Sequence, residues 1–228
     1  GRVDQPQAAH RLAGGRAERS ELRVYRHRQG AQTIEPAHVF SAGSIRHVHG
    51  IYFDPFTGAL FCLTGDAEKE CSIFKTSDGF QTLETVGSGD ETWRAVSVLF
   101  TESSFYYGTD AEFRVNNVFR VNRQTLEREN LGEVDGTIFY SRQCGADLFF
   151  ATTAENAPSQ KENVASLWHV DADNKLSKLV TYRKDGWHGT LFMFGTIHFA
   201  NTNGTGKELF YHLVGLQGDN RTFRLYNS

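Results

Sequence analysis

Three carboxylic acids recur along the chain at almost equal spacing: Asp66, Asp110 and Glu155 stand 44 and 45 residues apart, each after a Thr, Gly or Ala step. If acids so spaced converge, their repulsion raises at least one pKa unless a cation or an arginine compensates. A converged set can bind a cation or divide acid and base roles, as in glycoside hydrolysis. Arg94 is the candidate partner. The alternative is that each acid caps the turn after its strand, a device that a repeat copies into every unit. His47 and His49 are two residues apart, so on a strand their rings share a face; joined by an acid they are ligands for a divalent cation. Their plainer reading is one buried, hydrogen-bonded imidazole and one exposed. In WHGT (187–190), Trp187 offers a flat platform for a sugar ring or an inter-sheet packing residue, and His188 a general acid or base. The acid–base candidates are therefore Asp66, Asp110, Glu155, His49 and His188, and the metal candidates His47 and His49. Trp93, Arg94, Tyr140 and Trp187 are the candidate substrate contacts. There is no G-x-S-x-G elbow and no glycine-rich phosphate loop.

The elements that would position these residues repeat as well. HVHGIYFDPFTGALFCLTGD (47–66), TWRAVSVLFTESSFYYGTD (92–110) and TIFYSRQCGADLFFATTAE (137–155) each run strand, polar turn, strand. Each leads into a third strand (SIFKT, NNVFRVN, SLWHVD) and a polar fourth one near QTLETV, QTLEREN and KLSKLVTY. A further unit starts near Phe194 and holds three strands, and segments 21–28 and 33–40 supply two more, or 17 in all. A period of about 44 residues with four short strands per unit predicts an all-β fold, a β-propeller of four-stranded blades. Seventeen strands fit about five blades or part of a larger propeller. Segment 33–40 is expected to complete the last blade, because closure removes exposed sheet edges. The first strand of each unit should line the channel, which places His47, His49, Trp93, Arg94, Tyr140 and Arg142 there and makes that face the default binding site.

Composition narrows the partners. Lys plus Arg number 24 against 27 Asp plus Glu, a net charge of −3, which leaves no broad cationic surface for nucleic acid. Eighteen Phe, eight Tyr and 22 Gly suit pleated faces and tight turns. No run approaches the roughly 20 apolar residues of a membrane span, so a soluble chain with no membrane partner is expected, its compartment open between cytoplasmic and secreted. Cys62, Cys71 and Cys144 are odd in number and lack a C-x-x-C pair, favouring buried thiols over a disulfide framework, with a Cys62–Cys71 pair as the alternative. Asn203 and Asn220 fit the N-glycosylation pattern. Residues 1–19 read as a flexible tail before a single domain over 20–228. An incomplete ring would expose strand edges and favour a homodimer.

KTSDGFQTLETV (75–86) resembles the Asp box, Ser/Thr-x-Asp-x-Gly-x-Thr-Trp, with Thr76, Asp78, Gln81 and Thr82 in place, Phe80 at the position of its Gly and Leu83 at that of its Trp. With HVHG, TGD, WRAV and GTD, the span 35–225 resembles the BNR/Asp-box, sialidase-like propeller repeat proteins. The resemblance implies a propeller in which Asp78 holds a hairpin turn, and, by association, a carbohydrate partner. It does not extend to a sialidase site: the Arg-Ile-Pro motif is missing, and Arg94, Arg114 and Arg120 do not map onto the arginine triad. Two functions follow as expectations, a carbohydrate-active or glycan-binding propeller, or a hydrolase of lactones, esters or phosphoesters with a divalent cation in the channel. A non-catalytic propeller that binds a protein is the third.

Overall fold

The computed structural model describes residues 21–27, 33–200, 208–218 and 220–226; the expected tail and Asn203 lie outside the described residues. Seventeen strands are present among them, in the expected distribution. β1 (Leu22–His27) and β2 (Ile34–Phe40) form a two-stranded sheet. Three four-stranded antiparallel sheets follow. The first holds β3 (Val48–Phe53), β4 (Leu60–Thr64), β5 (Ser72–Thr76) and β6 (Glu84–Ser88). The second holds β7 (Ala95–Phe100), β8 (Ser104–Thr109), β9 (Asn116–Asn122) and β10 (Arg128–Val134). The third holds β11 (Ile138–Cys144), β12 (Asp147–Thr152), β13 (Val164–Val170) and β14 (Leu176–Arg183). A four-residue helix, α1 (Gly189–Phe192), leads to the last sheet, β15 (Thr196–Phe199), β16 (Glu208–Val214) and β17 (Thr222–Tyr226). Within every sheet strand order follows chain order, the meander of a propeller blade.

The second strand of each complete blade reads as an unbroken apolar run because both of its faces are covered. In β4, Phe61 and Leu63 pack against Val98, Phe105 and Tyr107 of the second sheet, while Cys62 between them faces Val24 and Phe40 of the β1–β2 sheet. In β8, Phe105 and Tyr107 face backwards and Tyr106 forwards, against Ile138 and Phe150. In β12, Leu148 and Phe150 face the second sheet, Phe149 and Ala151 the last. Period-2 alternation thus assigns neighbouring residues of one strand to successive interfaces. β16 differs: Leu209, Tyr211 and Leu213 are buried against the third sheet and the alternate positions only half-buried, so this sheet is covered on one face.

The first strands lie side by side in the order β3, β7, β11, β15 and are the inner strands of the stack. A meander returns to the same end after every second strand, so the connection entering each inner strand and the turn after each second strand share one rim. Contacts between successive turns bear this out: Arg114 pairs with Glu68 at 2.7 Å, and Ser159 Oγ donates to Ala111 O at 2.9 Å. The opposite rim is bolted by Arg123, whose guanidinium forms a two-pronged ion pair with the fully buried Asp54 and donates to Thr101 O at 2.7 Å.

Three expectations change. β2 does not complete the last blade; it pairs with β1 alone, and their sheet packs on the first blade through Val24, Phe40 and Ile45, the Phe40 and Phe74 rings 6.0 Å apart. Among the described residues no strand pairing closes the ring; the structure is five stacked sheets, three of them complete blades. Trp93 and Arg94 are not on an inner strand but in the connection before β7, and His47 likewise stands just before β3 rather than on it. Asp90 accepts from Thr92 N at 2.8 Å and caps a short 3-10 turn, Glu91–Trp93, that ends extended structure there. The acids, finally, are not equivalent in register. The equivalent residues are Thr64, Thr109 and Thr152, paired with Val48, Ala95 and Ile138. Asp66, Asp110 and Glu155 follow them by two, one and three residues. Each buried threonine binds across the turn to the third strand or its approach: Thr64 Oγ1 to Glu70 O, Thr109 Oγ1 to Asn116 Oδ1, and Thr152 Oγ1 from Ser166 N. The threonine is therefore the turn device, and the acids are left for other work.

Gly108 in β8 lies where two blades approach closely: a Cβ there would stand 2.2 Å from Ile138 Cδ1 and 2.8 Å from Ile138 Cβ. Because Ile138 is fully buried and has no room to retreat, Gly108→Ala is expected to destabilise the fold by about 1–3 kcal/mol in urea unfolding. An unchanged midpoint would contradict this packing.

Candidate functional site

On the rim shared by these turns, the first and second blades bring Asp66, His47, His49, Arg94 and Asp110 together. Gly65 makes the approach possible: a Cβ on it would lie 2.7 Å from His49 Cε1 and 2.8 Å from Arg94 Cγ. Asp66 then takes φ +101°, a region that costs a residue with a side chain of the order of 1–3 kcal/mol. The result is a carboxylate turned into the cluster. Its Oδ2 lies 3.1 Å from His47 Nδ1 and 3.5 Å from Arg46 Nε; its Oδ1 lies 3.8 Å from His49 Nε2 and 3.7 Å from Arg94 Nη2. The His47 and His49 rings sit 4.6 Å apart, tilted by 40° to one another.

His49 has a fixed tautomer. Its Nδ1 lies 2.9 Å from the carbonyl oxygen of Ala95, which can only accept, so Nδ1 carries the proton. In the neutral ring the lone pair is on Nε2 and faces the Asp66 carboxylate. One ligand atom each from His47, His49 and Asp66 falls within 4.8 Å of the others, a set able to hold a metal ion. A histidine whose second nitrogen is tied to a backbone carbonyl is the usual support for a metal-binding imidazole. The His49 side chain is nearly buried and the His47 side chain half exposed, so the set is open on one side.

Arg94 is the hub beneath it. Its Nε lies 2.9 Å from Asp110 Oδ2, its Nη1 3.9 Å from Glu91 Oε1, and it also approaches Asp66. Glu91, which sequence reasoning missed, is 2% exposed and receives Glu112 N and Phe113 N at 3.2 and 3.0 Å. Burial works against the Asp66 charge, but hydrogen bonds from both histidines and the field of Arg94 outweigh it and hold the carboxyl far below its usual range. Asp110 goes the other way: burial, opposed by Arg94 and reinforced by the charges of Glu155 and Asp66, pushes it up to about 8. Burial lowers Arg94, and Asp110 and Asp66 more than restore it, so its pKa ends raised. Asp66 and Asp110 thus both approach Arg94, and their pKa values are displaced in opposite directions.

The remaining candidates are distributed differently. Glu155 accepts from Thr137 Oγ1 one turn further round the rim. Trp93 packs between blades, stacked on Tyr107 at 5.9 Å with the Arg128 guanidinium 4.1 Å from its ring centre. Tyr140 lies tilted against the His198 ring at 4.4 Å at the interface of the third and last sheets. Trp187 and His188 are exposed in the connection to β15, with Trp187 against Phe192 at 4.9 Å. All three cysteines are free and buried, and burial pushes Cys62 and Cys71 up to about 12, leaving inert thiols. A cavity of about 100 Å³ lined by Asp54, Phe61, Lys75 and Arg123 lies at the opposite rim and is too small for a drug-sized ligand. Glu91 and Arg46 lack any spacing signal; the clue to Gly65 is a lone glycine at a strand end.

Because folded Asp110 titrates near 8 against an ordinary 3.8, its contribution to stability is complete below about pH 4 and is lost as pH rises through 8. Asp110→Asn removes that dependence. The variant is expected to gain stability relative to the unaltered chain between pH 5 and pH 8, by at most about 1.4 kcal/mol per pH unit. Parallel urea-unfolding curves at the two pH values would remove the shift.

No family model matches the chain, and no curated protein matches it. Among solved structures it is similar to a chain of a nidogen/laminin complex, at 9% identity and a TM-score of 0.48, over 85% of this chain and 69% of that one. AtxE2 isopeptidase in its apo form is similar at 9% identity and a TM-score of 0.34, over 90% of this chain and 40% of that one. A structure assigned as TolB from Agrobacterium tumefaciens is similar at 10% identity and a TM-score of 0.27, over 85% of both chains. The turn at Asp78, which accepts from Thr82 N at 3.0 Å and Thr82 Oγ1 at 2.7 Å, is the local feature behind the Asp-box resemblance. No helix among the described residues is long and apolar enough to cross a membrane.

Proposed function

We propose that the chain is a cation-dependent hydrolase of the ester or phosphoester class, its cation held by His47, His49 and Asp66 at the propeller rim. The observation that carries this reading is the convergence of one ligand atom each from His47, His49 and Asp66 within 4.8 Å, with His49 Nδ1 tied to Ala95 O so that Nε2 faces the carboxylate at 3.8 Å. A cation between them would be bonded by both. Two imidazoles and a carboxylate suit Zn²⁺, and three protein ligands leave a position for water or substrate. Bound there, the cation would supply Lewis acidity and an acidified water. Arg94 would keep Asp66 ionised, and the exposed Arg46 would face the anionic part of a substrate.

A carbohydrate-active function is the second reading, favoured by the opposite pKa displacements of Asp66 and Asp110, which mark a base and an acid. Against it, Asp110 is 5% exposed beneath Arg94, so a sugar would reach it only after Arg94 moves.

Calorimetry with Zn²⁺ on the purified chain is expected to show one site, weakened at least about tenfold by His49→Ala with the unfolding midpoint monitored alongside. Zinc-loaded protein should hydrolyse p-nitrophenyl acetate or bis(p-nitrophenyl) phosphate and lose the activity with a chelator. Zinc affinity untouched by His49→Ala would sink the site. Binding without turnover would replace the hydrolase with a cation-dependent binding module.

A further inference from the structure

His198 of β15 and His212 of β16 stand directly opposite each other in the antiparallel register, so their side chains leave the same face of the last sheet. Their rings stack at 5.1 Å and 28°, and the Tyr140 ring of β11 lies against His198 at 4.4 Å, tilted by 37°. Both histidines are half-buried. Thr196 Oγ1 is 2.8 Å from His198 Nε2 and, able to donate or accept, serves the neutral and the charged ring alike. Two imidazoles this close meet like charge when both take a proton, and burial adds to the cost. Burial first, and the charge of His212 second, lower the pKa of His198 below its ordinary 6.5.

The acids on the surrounding elements are engaged elsewhere. Glu208 of β16 is ion-paired to Arg224 of β17, Asp147 of β12 to His169 of β13 at 2.6 Å, and Asp185 to Lys184 beside Gly195, while Glu155 accepts from Thr137. Arg142 and Cys144 stand further along β11, and Tyr211 is on the opposite face of β16, its hydroxyl 2.9 Å from that of Tyr182. Tyr140 and His212 are thus the titratable groups whose rings touch His198. β15 is also weakly held. It is four residues long, pairs with β16 alone and edges a sheet covered on one face, and the histidine pair is one of its four register pairs. Ala154 and Gly195 exchange hydrogen bonds at 2.7 and 3.0 Å just before it, so the strand can part from β16 while its entry stays attached to the third blade.

We propose that the His198–His212 pair is an acid-sensitive latch: protonation of both rings parts β15 from β16 and loosens the inner edge of the last sheet while the three complete blades stay intact. The latch is independent of the cation reading above. Because His198 titrates lower in the folded chain than in the unfolded one, its contribution to stability is full above about pH 6.5 and is lost as pH falls below it.

Hydrogen exchange read by mass spectrometry, with a chelator present so that no metal bridges the pair, is the direct measurement. Corrected for intrinsic exchange rates, protection of 196–199 and 210–214 is expected to fall at least about tenfold from about pH 7 to about pH 5, while β7 to β10 lose none. His212→Gln and, separately, His198→Gln should each hold the fall to within about threefold, two variants guarding against one that fails to fold. By proton NMR of the unaltered chain, the His198 ring is expected to titrate below 6.5, and to move up in His212→Gln. Equal protection at the two pH values overturns the latch. A loss shared by every blade overturns it in favour of general acid unfolding, and a loss that survives both substitutions overturns the role of the pair.

Discussion

The structure depends on second strands buried on both faces. A strand such as β8, buried at every position from Ser104 to Thr109, serves two interfaces at once, so each of the three complete blades is clamped between its neighbours. That constraint explains the local sequence: aromatic and aliphatic residues stand side by side in SFYYGT and DLFFAT, and a glycine replaces a side chain where the inner strand of the next blade presses close. It also dictates where polar groups must go. With the blade faces sealed, charge is confined to the two rims or buried only when paired.

The two rims answer this in different ways. At one, Asp54 is saturated by Arg123, Phe56 N and Thr57, and the guanidinium lies over Phe56 and Phe100 at 5.2 and 5.5 Å. The pair is matched one for one and binds turns of neighbouring blades together. At the other, a single buried arginine, Arg94, faces Asp66, Glu91 and Asp110. Around it, burial pushes Asp110 up to about 8, while hydrogen bonding from the histidines and the field of Arg94 hold the Asp66 carboxyl far below its usual range. An unequal arrangement of that kind, with a strained aspartate in it, is costly for stability.

Register explains why the spacing of the acids is only half informative. Their period of about 44 residues reflects the blade period, which is set by Thr64, Thr109 and Thr152, the residues whose hydroxyls close each turn. Displaced by two, one and three residues from those threonines, the acids point differently, and their environments diverge accordingly. A one-residue offset after a strand moves a side chain to another face, so equal spacing in sequence does not mean equal placement.

Periodicity alone determined the strand count, the four-stranded unit and the all-β class, because these follow from local alternation and turn chemistry. Tertiary structure decided the rest. It alone shows that β2 packs on the first blade instead of completing the last, since that choice turns on which face covers Phe40. It alone brings Glu91 and Arg46 to the cluster, ties His49 Nδ1 to the Ala95 carbonyl, and buries Asp110 while turning the Asp66 carboxylate into the cluster. Those outcomes depend on through-space distances between different blades, which no pattern along a single strand encodes.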